Sequence, residues 1–146
     1  MSVFVDTSAF YAVLDADDGR HADAARVWES LLDSRDPIHT TSFVIVETTA
    51  LLQNRIGLDG LRLFAADILP VVQLLWVDEG MHRSAMHALL VAGQRRLSLV
   101  DCVSFEAMRG LGIETVFCFD PHFAQQGFHI VPGARAGHHT LEKSGS

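Results

Sequence analysis

With 146 residues, 49% of them hydrophobic and 20% charged, the chain has material for one hydrophobic core and excludes a disordered protein, a collagen-like fibre or a disulfide-held miniprotein. The most apolar stretch, residues 68–77, is interrupted by Pro70 and Gln73 and is shorter than the ~18 residues a membrane span needs. A net charge of −7 speaks against a nucleic-acid binder unless the acids are gathered and neutralised in one place.

The first apolar run, Val3-Phe4-Val5, starts at once and ends in Asp6, with no basic segment or cleavage site before it. A cytoplasmic location is therefore expected, and no membrane partner. In that compartment Cys102 and Cys118 read as two buried thiols rather than a disulfide.

In chain order, the spacing predicts a strand at 3–5, a helix at 22–32 and a strand at 38–40. Two helices follow at 43–56 and 61–69, the second closed by Pro70. A strand at 74–77 leads to helices at 82–91 and 102–111, with Gly112 as the C-terminal cap. Strands at 115–119 and 128–131 complete the series. Short apolar runs alternating with helical patterns predict an α/β fold. Its centre is a parallel sheet of four or five strands, flanked by helices on both faces through right-handed crossovers. The domain is expected to span 1–132, with 133–146 a polar, poorly ordered tail.

In such sheets a ligand sits beyond the carboxyl ends of the strands, which directs attention to the acids. Asp6 follows the first strand and Asp120 follows Val116-Phe117-Cys118-Phe119, so both carboxylates arrive at the same sheet edge. Each could instead simply cap the next helix. Glu47 is the only charge in residues 42–52 and shares a helical face with Phe43 and Leu51, an unusual place for an unpaired carboxylate. Asp101 stands three residues after Ser98 as a capping box would require, a role compatible with ligation. Four converging carboxylates could not all ionise unaided, and a hard divalent cation, Mg²⁺ or Mn²⁺, resolves that repulsion. These four acids account for four of the seven net negatives, so bound cations would turn the site into a phosphate-binding centre.

The same residues carry a family resemblance. Phe4-Val5-Asp6-Thr7-Ser8-Ala9, Glu47 after Thr40-Thr41-Ser42, Leu99-Val100-Asp101-Cys102-Val103-Ser104-Phe105 and Phe119-Asp120-Pro121-His122-Phe123 stand in the order seen in PIN-domain ribonucleases. In particular, the chain resembles the VapC-type toxins of type II toxin–antitoxin pairs, over residues 3–132. Pro121 departs from the polar or basic residue many relatives carry there.

The resemblance implies a PIN-like domain that cleaves RNA with Mg²⁺ or Mn²⁺, forms a homodimer and is blocked by a small antitoxin. By position, Asp6, Glu47 and Asp101 would hold metal and Asp120 would bind directly or through water. Ser8 or Thr7 would orient a metal-bound water. Metal activation of water needs no side-chain base. His122 is accordingly expected to pack or to hydrogen-bond at the surface, and Arg83, Arg95 and Arg96 to lie on solvated helix faces.

Other acidic Mg²⁺ sites fit less well. A phosphoacceptor domain needs adjacent acids at the first strand and a lysine after the last, but Thr7-Ser8 follows Asp6 and the only lysine is Lys143. A haloacid-dehalogenase-like phosphatase needs Asp-x-Asp where Asp6-Thr7-Ser8 stands. A PIN-type module without metal, acting only as a protein-interaction surface, is the remaining alternative.

Overall fold

Five strands of three or four residues form the centre of the molecule, described here by a computed structural model over residues 1–133. Apart from Gly133, the expected tail at 133–146 lies outside the described residues. β1 (Val3–Val5), β2 (Ile38–Thr41), β3 (Gln73–Leu75), β4 (Thr115–Phe117) and β5 (His129–Val131) pair in the order β3-β2-β1-β4-β5. Every pairing is parallel; Val3 is in register with both Ile38 and Thr115. β1, β2 and β3 step in one direction and β4 and β5 in the other, so the order reverses at β1. With right-handed crossovers, that reversal places helices on both faces and opens a crevice beyond the carboxyl ends of β1 and β4. Asp6 and Asp120 follow those two strands.

α1 (Thr7–Leu14) was not predicted by apolar spacing. Its eight residues are apolar at nearly every position, which leaves no polar face to mark a 3.6-residue period, and Thr7, Ala9, Phe10, Tyr11 and Ala12 are buried. α2 (His21–Ser34), α3 (Ser42–Arg55), α5 (Glu79–Ala92) and α6 (Leu99–Leu111) occupy the expected places, each beginning one to three residues earlier than its apolar pattern. Apolar spacing cannot show where a helix begins, because polar capping residues set that point. α4 (Gly57–Leu63) runs into a π turn over Phe64–Ile68 and a 3-10 turn over Leu69–Val71. Pro70 has no N–H with which to continue an α ladder, and the widened turn keeps Phe64 and Ile68 in the core. A last short helix, α7 (His122–Gln125), lies between β4 and β5.

The third strand falls at Gln73–Leu75 rather than 74–77 because the Val77 N–H donates to Ser42 Oγ (2.9 Å), which takes the chain out of the ladder. Phe4, Phe10, Phe64, Phe117 and Phe123 are fully buried, with Phe10 packed edge-on against Phe64 and Phe105 against Phe123. Gly112 closes α6 in the left-handed conformation (φ 68°), as expected of a C-terminal cap. Both cysteines are free and buried. Among the described residues no helix is long and apolar enough to cross a membrane.

The start of α3, which carries Glu47, depends on a cap. Thr41 is extended, and its buried hydroxyl accepts from the Val44 N–H (3.2 Å). Thr41→Ala is expected to lower unfolding stability by about 1 kcal/mol, measured by urea denaturation.

Candidate metal centre

Asp6 extends the β1–β4 ladder by one bond, its N–H donating to Phe117 O (3.1 Å), and then caps α1. Its Oδ2 accepts from Ser8 Oγ (2.8 Å) and from Ser8 N (3.3 Å). The Ser8 hydroxyl in turn accepts from the Phe119 N–H (3.0 Å), tying the segment after β4 to the carboxylate after β1. The one proton of the Ser8 hydroxyl is thus spent on Asp6, so in this arrangement Ser8 orients a carboxylate and could only accept from a water. Asp6 is 4% exposed, and burial pushes its carboxyl up from the ordinary 3.8 to about 7, with the charges of Asp101 and Glu47 adding to the rise.

Thr7, also buried, bridges α1 to α3. Its hydroxyl donates to Val44 O (3.4 Å) and accepts from Thr48 Oγ1 (3.1 Å), and it stands near enough to Glu47 to favour the ionised carboxylate. Like Ser8, it has its one proton committed within the protein. Glu47 as a residue is exposed, so the apolar stripe read from the sequence does not bury it whole. Its carboxylate is nevertheless partly desolvated. That raises its pKa, and Asp101 and Asp120 raise it further. Phe43, Val46, Glu47 and Val100 line a cavity of about 270 Å³ beside it.

Asp101 sits in the capping box that Ser98-x-x-Asp101 predicted. Ser98 N donates to Asp101 Oδ2 (3.1 Å), and Asp101 N donates to Ser98 Oγ (3.0 Å). Burial raises the Asp101 carboxyl, and Asp120 raises it further. Asp120 Oδ1 accepts from the His122 N–H (2.7 Å), so the carboxylate is held by the turn into α7.

His122, expected from sequence to pack or to hydrogen-bond at the surface, stands partly buried beside these carboxylates. Its Nδ1 lies 2.8 Å from Asp120 Oδ1 and 3.7 Å from Asp101 Oδ2. One ligand atom each from Asp101, Asp120 and His122 lies within 4.8 Å of the others. The approach to Asp120 lacks hydrogen-bond alignment. His122 Nδ1 is the only buried side-chain nitrogen or oxygen among the described residues that lacks a hydrogen-bond partner. The available signal was its position two residues after Asp120, where Pro121 bends the chain back over the carboxylate. Asp6 and Glu47 contribute no atom to that 4.8 Å group, but their electrostatic coupling to Asp101 joins the four acids in one field. That field reaches Cys118, whose thiol is pushed up to about 12 by burial first and then by Asp6, Asp120 and Asp101.

The arrangement fits a divalent cation. Burial and mutual repulsion raise the pKa of three carboxylates, and a buried imidazole nitrogen faces carboxylate oxygens without a partner. Oxygen donors with one imidazole suit Mg²⁺ and Mn²⁺.

A family model described as PIN domain matches residues 3–128 of this chain. Two curated relatives from two strains of Mycobacterium tuberculosis, each named 23S rRNA-specific endonuclease VapC20, are 37% identical over 128 residues; this is 86% of this chain and 95% of each relative. The crystal structure of M. tuberculosis VapC20, described as a sarcin–ricin loop cleaving toxin, superposes with a TM-score of 0.76 at 33% identity and covers 86% of this chain and 95% of that one. FitAcB from Neisseria gonorrhoeae shares the fold, with a TM-score of 0.63 at 17% identity over 88% of this chain and 95% of its own.

Proposed function

The chain belongs to the PIN-domain family, and from that premise we propose that it is a VapC-type endoribonuclease whose Asp6, Glu47, Asp101 and Asp120, joined by His122, hold Mg²⁺ or Mn²⁺. The observation that carries this reading is the gathering of otherwise unpaired acids and one unpartnered imidazole nitrogen at the reversal point of the sheet. The 23S rRNA cleaved by the relatives, and its sarcin–ricin loop, is the substrate proposed for this chain. A small antitoxin that covers the site, a homodimer and a cytoplasmic location complete the proposal.

A divalent cation supplies Lewis acidity and a bound water whose pKa falls toward neutrality. The protein's own contribution is placement. Ser8 fixes Asp6, the Ser98 N–H fixes Asp101 and the His122 N–H fixes Asp120. Each of these three carboxylates is therefore oriented before substrate arrives, and little reorganisation remains for the reaction.

Incubation of the purified protein with total cellular RNA is expected to cut 23S rRNA in Mg²⁺ or Mn²⁺, with cleavage abolished by EDTA. Intact RNA at millimolar Mn²⁺, together with no heat of Mn²⁺ binding, would favour the metal-free interaction module instead. In the same calorimetry, His122→Asn is expected to weaken Mn²⁺ binding ~10–100-fold.

A further inference from the structure

We propose that Arg20 is a substrate-contacting residue, its guanidinium seated on Phe119 at the rim of the acidic centre to bind a phosphate of the RNA strand beside the scissile bond. This rests on the ribonuclease reading above and adds to it a cation that the acidic residues themselves cannot provide.

Phe119 belongs to the centre by its connections. Its N–H donates to the Ser8 hydroxyl that holds Asp6, and the next residue is Asp120. Its ring packs edge-on against the fully buried Phe117, with centroids 6.1 Å apart, and so is fixed from below. The Arg20 guanidinium carbon lies 5.3 Å from the centre of the Phe119 ring. Two segments distant in sequence, the turn into α2 and the turn after β4, thus place a cation on an aromatic platform one residue from a carboxylate of the site.

That cation is available to a ligand. Arg26, Arg62 and Arg83 each pair with an acid on their own helix, whereas Arg20 makes no ion pair among the described residues. The carboxylates of Asp18 and Asp15 are turned to other work. Asp18 Oδ1 accepts from the Arg20 backbone N–H (2.8 Å), and Asp15 accepts from the Tyr11 hydroxyl and the Asp17 N–H. The backbone beneath Arg20 is also anchored, since the adjacent His21 ring nitrogen Nδ1 lies 2.8 Å from Ala12 O. A guanidinium stacked on a ring keeps its N–H groups along its edge, where a phosphate is met by two parallel hydrogen bonds. In a protein of net charge −7 an RNA strand needs such a contact to approach an acidic centre, and a backbone phosphate fits it without regard to base.

The test compares wild type, Arg20→Ala, Arg20→Lys and, as a charge-matched control, Arg62→Ala, whose arginine pairs with Asp59 on exposed α4. Binding of a fluorescein-labelled RNA stem-loop of the sarcin–ricin type is measured with Ca²⁺ in place of Mg²⁺ across a salt series. Cleavage in Mg²⁺ is followed separately. Arg20→Ala is expected to bind RNA ~10-fold more weakly at low salt, with a slope of log affinity against log salt shallower by ~0.7. Melting temperature and Mn²⁺ affinity should be unchanged, and Arg20→Lys should recover the slope but only part of the affinity. An Arg20→Ala slope equal to that of Arg62→Ala overturns the proposal, even if binding is weaker, because Arg20 would then act through the fold or toward a protein partner. A wild-type protein that binds this RNA but cuts none in Mg²⁺ fails the ribonuclease reading, and the salt slopes still decide the role of Arg20.

Discussion

Asp6→Asn is expected to abolish RNA cleavage, by on the order of 10³-fold or more, while making the cation-free protein more stable at and above neutral pH. Both effects have one cause. The Asp6 carboxyl is buried beneath the site, and burial raises it from 3.8 to about 7 in the folded state. Below pH ~4 the group is protonated in both the folded and the unfolded chain and carries no penalty. Between ~4 and ~7 the unfolded chain releases the proton and the folded chain keeps it, so stability falls as pH rises, and above ~7 the full cost is present. A shift of this size corresponds to about 4 kcal/mol, and Glu47 and Asp101, also raised, act in the same direction.

Asparagine carries no charge to desolvate. Its side-chain oxygen can still accept from Ser8, and it remains a good helix cap. Thermal melts in EDTA should therefore show wild type losing stability from pH 5.5 to 8, with Asp6→Asn losing less and melting higher at pH 8. Saturating Mg²⁺ should narrow that difference by stabilising wild type. An Asp6→Asn protein that cleaves RNA at the wild-type rate would remove Asp6 from the site.

Asp101→Asn should reduce cleavage on the order of 10²-fold or more with no loss of stability at neutral pH, whereas Asp101→Ala should lose cleavage and also be less stable than Asp101→Asn. Asp101 has two separable roles. One oxygen accepts from the Ser98 N–H in the capping box, and the carboxylate as a whole stands in the cluster with Asp120 and His122. Asparagine can serve the first role and not the second. Alanine leaves the Ser98 N–H without its acceptor, at a cost of about 1 kcal/mol. Paired measurements of RNA cleavage and urea unfolding separate the two roles. If Asp101→Asn retained full cleavage, Asp101 would be a helix cap only.

The position of the acids in sequence already carried much of the site, because strand ends are fixed points. An acid directly after a central parallel strand has one sheet edge to occupy, and Asp6 and Asp120 could be placed there from Val3-Phe4-Val5 and Val116-Phe117. Asp101 was legible through Ser98, since a capping box is local chemistry. Glu47 was legible as an anomaly and less so in its geometry. The apolar residues around it suggested burial, but the residue is exposed and only its carboxylate is partly desolvated. α1 escaped notice because a helix buried on most sides has no periodic contrast to detect.

From residue order alone came the α/β class, the parallel sheet and its crossovers, the caps of α6 and the acids bound for one edge, all of which depend on periodicities and contacts a few residues long. Only the tertiary structure decided which groups meet there: the Phe119 N–H bound to the Ser8 hydroxyl, the His122 ring turned onto Asp101 and Asp120, and Arg20 laid over Phe119. Such contacts join segments about 20 to 110 residues apart or depend on a ring's rotamer. Burial and packing against the rest of the core set them, and no local pattern in the chain encodes them.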